Sequence, residues 1–468
     1  MTPGAALQLP LLQLGQAIRA RQVTAARLAE EALRRLDGKG RALNAVAALM
    51  PERARAEAAE ADREIAGGRW RGPLHGVPYG AKDLLSARGA PTTWGTSLFA
   101  GRMIDADAAA VENLSRAGAV LVAKLSMVQL AGGFGYHRAD ASLQGPARNP
   151  WDPTRWAGGS SSGSAAAVAA RCVPFALGSE TWGSIVTPST LCGLAGLRPT
   201  FGRVSRRGAM ALSWSMDKIG PIARGAMDAL VVLAAISGHD PLDPSTIEGQ
   251  PKVQPGQPAR RRLRVAVVLP ESLRAQDAQV FAAYRAVAES LGKVADVVSA
   301  DAAAPELPSD AAASLTVSVE EASAFEDLIE AGKLGALQST DAPAAARADR
   351  SIRAVDYVRA QRIRGLLRTA YARLFDRVDA VCTSPLGFVA ATAPRLEDDL
   401  DAVFSGDDPF GSAGNLLGLP AVTLPGPLVR GLPTGLQLLG PAWSEEALCA
   451  TANALEQSTT WAGQRPPA

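Results

Sequence analysis

The chain has 468 residues, with 48 basic and 46 acidic side chains and a net charge of +2. That balance gives no electrostatic bias toward nucleic acid or acidic membrane surfaces. Hydrophobic residues make up 47% of the chain, enough for a large core in one α/β domain or two smaller ones.

At the N-terminus, MTPGAALQLPLLQLGQ lacks the basic start and unbroken apolar run of a signal peptide. No segment approaches the ~20 apolar residues of a membrane span; Ala229–Ile236 reads as a core helix. Leu11–Ala48 reads as helices, with Leu14, Ala17, Ile18, Val23, Leu28 and Leu33 at helical spacing, and a charged amphipathic helix follows at Glu52–Ile65. In RGPLHGVPYGAKDLL, Arg71–Leu85, the alternation of Val77, Tyr79 and Ala81 predicts a strand closed by Lys82. Burial at such a place lowers a lysine's pKa, and a neutral lysine can take a proton from a serine. Asp107–Gly118 reads as a helix and Ala119–Ala123 as a strand closed by Lys124, so burial alone does not choose between the two lysines. His75 lies in a turn and is expected to make a structural hydrogen bond, and His137 lies in the glycine-rich loop Gly132–Arg138. Neither has a partner at ligand spacing, so no metal is expected.

Ala157–Gly193, AGGSSSGSAAAVAARCVPFALGSETWGSIVTPSTLCG, carries two Ser/Gly knots, joined by an alanine-rich helix and the apolar run Val173–Leu177, which reads as a buried strand. Such turns gather backbone N–H donors that hold negative charge. The first knot also fits G-x-S-x-G with Ser161 as a nucleophile, but its only downstream base is His239, at the head of a Pro-rich, solvated stretch. Further on, Thr200–Pro221 reads as loops ending in a strand, with Trp214 and Met216 as core or pocket residues. His239–Arg262 reads as a linker. Strands are expected at Leu263–Leu269, Val294–Val298, Val378–Thr383 and within Gly414–Gly440. Helices are expected at Ala278–Leu291, Val319–Ala331, Ser351–Phe375 and Glu445–Glu456. Cys172, Cys192, Cys382 and Cys449 show no metal-ligand spacing. Three of them, Cys172, Cys192 and Cys449, sit among apolar or small residues, which reads as buried thiols in a reducing, cytoplasmic compartment.

Several motifs in order resemble the amidase signature enzymes. They are GPLHGVP-x-x-x-KD at Gly72–Asp83, DA-x-A-V at Asp107–Val111, GAV-x-V-x-K at Gly118–Lys124, GGSS-x-GSAAAVAA at Gly158–Ala170, GSIV-x-P at Gly183–Pro188 and CG-x-x-GLRPT-x-GRVSR at Cys192–Arg206. The tail matches in GLPAVTLP at Gly418–Pro425 and GLP-x-GLQLLGP at Gly431–Pro441. The resemblance implies a single large α/β domain, its mixed central sheet covered by helices on both faces. Along it, 1–66 would be N-terminal helices, 67–238 the signature core, 239–262 a linker, 263–380 a variable middle part and 381–468 strands and a helix returning to the core. It implies Ser184 as nucleophile, Ser160 as a bridging serine after a cis peptide bond, and Lys82 as the base. Lys124 then reads as a structural contact to a loop carbonyl.

The resemblance further implies an oxyanion hole from the N–H groups of Thr181, Trp182, Gly183 and Ser184, with Asp83 and Ser161 orienting the site. Trp182, Phe134, Tyr136, Trp214 and Met216 are the expected pocket residues. The chain departs from the family where Trp182 replaces a glycine and Val186 an arginine, and Ser126 and Gln129 replace Asn and Glu. The expected activity is hydrolysis of non-peptide carbon–nitrogen bonds in uncharged, hydrophobic or aryl amides, extending to carbamates, anilides and esters. No cofactor, metal, nucleic acid or membrane is expected, and the chain is expected as a monomer or homodimer. Two alternatives are the glutaminase-like subunit of a tRNA-dependent amidotransferase and an inactive scaffold relative.

Overall fold

The computed structural model describes residues 1–256, 261–269, 272–298, 305–385, 394–403 and 409–467. Its strands are β1 (Val46–Leu49), β2 (Pro78–Lys82), β3 (Val120–Leu125), β4 (Arg148–Asn149), β5 (Asp152–Trp156), β6 (Phe175–Glu180), β7 (Ala195–Arg198), β8 (Lys218–Ala223), β9 (Arg264–Val268), β10 (Asp296–Val298), β11 (Ala380–Thr383), β12 (Ala421–Pro425) and β13 (Gly435–Leu439). Among the described residues, eleven of them form one mixed sheet in the order β1-β3-β2-β6-β8-β7-β12-β13-β11-β9-β10, and β4 pairs with β5 alone. The neighbours β3, β2 and β6 run parallel, as do β11, β9 and β10. Every residue of β2, β3 and β6 is buried, as strands covered on both faces are. Tyr79 of β2 lies opposite Phe175 of β6, and their rings stack with centroids 5.2 Å apart, holding the register of the two strands that end at the site.

Helices cover the sheet where their apolar stripes demand it. Ala25–Arg35 begins at Thr24, whose side chain accepts the Arg27 N–H at 3.2 Å, and buries Leu28, Ala29, Ala32 and Leu33. Ser162–Ala169 is buried along its whole length, its side chains small enough to lie against the sheet. The parts of the chain expected as a middle and a tail add β9, β10, β11, β12 and β13 to this one sheet. The stretch expected as a linker is tied down: Asp240 accepts Ser205 Oγ and Arg207 Nε, and Asp243 accepts the Arg206 N–H.

Some elements differ from expectation. Val46–Leu49 falls in a region expected to be helical, but pairing with the edge of β3 makes it a strand. The helix expected at Val319–Ala331 is two, Ser309–Ala324 and Glu326–Glu330, broken at Phe325, which turns into the core. Pro409–Leu416 is a helix, and β7 lies in the Cys192–Arg206 motif.

Gly163 sets how closely the helix Ser162–Ala169 approaches β3. A Cβ there would lie 2.5 Å from the Ala45 carbonyl oxygen and 2.6 Å from the Ser126 nitrogen, both backbone atoms. Gly163→Ala is expected to cost about 1–3 kcal/mol by overpacking. Denaturant unfolding measures it, and an unchanged midpoint would show that the helix moves away freely.

Candidate active site

Parallel pairing of β2 and β6 puts their C-terminal ends side by side, so Lys82 and Ser179–Glu180 emerge together. The loop entering the helix Ser162–Ala169 then lays Ser160 between Lys82 and Ser184. Lys82 Nζ lies 2.8 Å from Ser160 Oγ, and Ser160 Oγ lies 2.9 Å from Ser184 Oγ. The Gly159–Ser160 peptide bond is cis. Lys82 is fully buried, Ser160 is 1% exposed, and Ser184, at 8%, is the member that meets the cavity.

Lys82 has a second hydroxyl neighbour that the sequence did not announce: Ser179 Oγ at 2.9 Å. Its partners are hydroxyls and the more distant Ser179 carbonyl, and no carboxylate among the described residues bonds to it. Burial therefore lowers its pKa to about 7, although the negative charges of Asp217 and Glu180 pull the other way. Lys124 differs in kind. Its Nζ bonds Asp83 Oδ1 at 2.7 Å and Thr92 Oγ1 at 3.0 Å, with the Pro91 carbonyl at 3.3 Å. This buried ion pair fixes Lys124 away from the serines. Asp83 bonds Lys124 and Thr93, so its contact with the relay is only through the chain. Ser161 acts closer: its Oγ sits between the N–H and C=O of Ser179, and its N–H reaches the Ser184 carbonyl at 3.3 Å. Buried and engaged in this way, Ser161 is not offered to substrate. His239 is exposed, and its ring bonds Thr246 Oγ1.

Glu180 folds the turn that carries Ser184. One carboxylate oxygen accepts the N–H groups of Ile185 and Val186 at 2.8 and 2.9 Å, and the other accepts Arg198 Nη1 at 2.8 Å. Burial alone would raise its pKa, but the charges of Arg198 and Lys218 outweigh burial and hold Glu180 below the usual carboxylate range. Thr181 Oγ1 donates to Asp217 at 2.5 Å, and Asp217 in turn accepts the N–H groups of Leu212 and Ser213. The left-handed residue of the turn is Gly183, at φ 85°, which spares bulky Trp182 that conformation. Among the described residues, the N–H groups of Gly183 and Ser184 have no internal acceptor.

Ser184 opens into a cavity of about 500 Å³. Tyr136, Trp156, Trp182 and Val186 give it an apolar wall. One face of the helix Ser309–Ala324, with Ser314, Val317, Ser318 and Glu321, forms the opposite side. Of the expected pocket residues, Trp182 and Tyr136 line this cavity, and the other three do not. Phe134 is buried against Phe325 in the core, Met216 is fully buried in another core cluster, and Trp214 is 62% exposed over the Arg206 guanidinium. His75 bonds the Arg71 N–H, whereas His137 is exposed, flanked by Asp341 and Asp401 from distant parts of the chain. All four cysteines are buried free thiols, and no helix among the described residues is long and apolar enough to cross a membrane.

Comparison with known proteins places the chain among amidases and amidotransferase subunits. The family model described as Amidase matches residues 27–449. The A-type subunit of the glutamyl-tRNA(Gln) amidotransferase of Deinococcus deserti is 34% identical, over 96% of each chain. The peptide amidase from Stenotrophomonas maltophilia superposes with a TM-score of 0.82 at 31% identity, over 98% of each chain. A bacterial aryl acylamidase of the amidase signature enzymes shares the fold at 21% identity, with a TM-score of 0.83 over 96% of each chain.

A base with a pKa of about 7 has a readable signature. The active form is the neutral amine, so the rate at which a fluorophosphonate labels Ser184 should rise with pH and level off above a midpoint near 7. A rate that is flat between pH 5 and 9 would remove Lys82 from the reaction.

Proposed function

The chain belongs to the amidase family of amidohydrolases, and on that footing we propose a serine acyl-enzyme mechanism. Neutral Lys82 takes the Ser160 proton as Ser160 takes that of Ser184. Ser184 Oγ attacks the substrate carbonyl carbon, and the developing oxyanion is received by backbone N–H groups of the 181–184 turn. The proton returns along the same path to the departing nitrogen, and water then hydrolyses the ester on Ser184. The observation that carries the reading is the unbroken chain of contacts, 2.8 and 2.9 Å, from a buried lysine to a serine at the cavity wall. Ser179 supports it by holding the amine in place, and Ser161 by holding Ser179 and the Ser184 carbonyl.

The preferred substrate is an uncharged amide with an apolar or aromatic group against Tyr136, Trp156 and Trp182, and anilides, carbamates and esters offer the same reacting carbonyl. Val186 supports the neutral character, because the position holds an apolar side chain against the cavity. A second reading, the glutaminase-like subunit of a tRNA-dependent amidotransferase, is favoured by the relatives named as such subunits. Ammonia release from glutamine, or a need for a partner protein, would select it.

A panel of aryl amides, aliphatic amides, carbamates, esters and glutamine tests both. Ser184→Ala is expected to lower turnover of any accepted substrate by roughly 10,000-fold or more. Trp182→Gly is expected to lower the preference for aryl over small aliphatic amides about three- to tenfold, the scale of one aromatic contact. An unchanged ratio would take the indole out of substrate selection.

A further inference from the structure

Lys218 is a third buried lysine, and the relay does not use it. It opens β8, directly opposite Glu180 at the end of β6. Its Nζ donates to three backbone carbonyls: that of Met216, and those of Thr181 and Asn415 at 3.4 Å each. Lys218 is not in the wall of the cavity that Ser184 opens into. It lines a separate cavity of about 90 Å³, and Thr181 stands in the wall of both. The amine therefore meets the nucleophile turn from behind, across Thr181. Consecutive residues hold Thr181 at two points: Asp217 accepts its Oγ1 at 2.5 Å, and Lys218 donates to its carbonyl. The first bond fixes the side chain, and the second fixes the peptide plane that follows.

In a trans peptide the C=O and the N–H that follows it point in opposite directions. Among the described residues the one cis bond is Gly159–Ser160, so Thr181–Trp182 is trans. A carbonyl drawn toward Lys218 turns the Trp182 N–H away from it, and Trp182 lines the Ser184 cavity. We propose that Lys218 is a positioning residue for the oxyanion seat: it holds the Thr181 carbonyl behind the turn and so aims the Trp182 N–H at the substrate's carbonyl oxygen. The role rests on the acyl-enzyme mechanism proposed above and names what keeps one of its donors in place. Without the lysine, the Thr181 carbonyl loses this donor and the peptide is freer to turn over. That would carry an oxygen toward the cavity, where it repels the developing anion. The third contact, to Asn415, ties the turn to the helix Pro409–Leu416, whose Gly411 and Asn415 also line the cavity.

A trifluoromethyl ketone shaped like an accepted aryl amide is the probe. Ser184 Oγ adds to its carbonyl carbon, the serine proton passes into the relay, and the carbonyl oxygen becomes the anion. The wild type is labelled with isotopic tryptophan, and Trp182→Phe assigns the signal. Its Trp182 amide proton should move downfield when the adduct forms, as an N–H bonded to an anion does. Lys218→Met keeps the stem and removes the N–H groups. It is expected to lower kcat, and ketone affinity in step, by about 100-fold, the scale of one oxyanion donor. KM should stay within about twofold, because the contact is made only in the transition state. The pH midpoint of fluorophosphonate labelling should not move. Lys218→Arg keeps donors, has the adjoining cavity to enter, and should restore most of the lost rate. A raised KM with kcat unchanged, or a shifted midpoint, would overturn the proposal, as would an arginine variant no better than the methionine one. So would a Trp182 amide that the adduct leaves unmoved, a wild-type result that stands even if a variant fails to fold. A ketone that never adds to Ser184 would instead sink the acyl-enzyme mechanism itself.

Discussion

The site depends on a lysine kept dry and denied a carboxylate partner. A buried ammonium is costly unless a negative charge compensates it. Lys82 is given hydroxyls instead, so the favoured form is the free amine. Lys124, one strand away and equally buried, has Asp83, and the pairing ends its availability. The two lysines lie at the ends of neighbouring parallel strands, and their opposite fates follow from one aspartate pointing toward Lys124.

The same control of charge shapes the nucleophile turn. Glu180 is buried at the end of β6, yet it is ionised because Arg198 and two backbone N–H groups converge on it. Its bonds draw the chain into a tight loop and aim the start of the next helix at the site. Asp217 anchors the other side through Thr181. Beyond the turn, consecutive glutamates tie the helix Ser309–Ala324 over the cavity in two directions. Glu320 accepts from Ser213, Ser215 and Tyr357, and Glu321 accepts the Phe134 N–H at 3.0 Å. Glu321 is buried, and burial raises its pKa well above the usual carboxylate value.

Much of this was legible in the residues because it is local or carried by ordered motifs. The apolar alternation before Lys82, the Ser/Gly knots and the alanine-rich helix each announce their own geometry. What stayed hidden is non-local. Val46–Leu49 has no strand pattern of its own and becomes one by lying on β3. Arg198 reads as one more residue of a motif until Glu180 and Leu419 are brought around it. Ser179 falls past the apolar run that marked its strand, so nothing in the spacing sets it against Lys82. Phe134, Trp214 and Met216 are aromatic or sulfur-bearing residues in segments that flank the site. Their directions are decided by Phe325, Arg206 and a separate core cluster, contacts that no local pattern encodes.

Nitrogen NMR of the side-chain amines, with Lys82→Met to assign the signal, reads the charge on the Lys82 amine itself. One resonance, lost in that variant, should titrate with a midpoint near pH 7. A signal that stays that of an ammonium beyond pH 9 would contradict it.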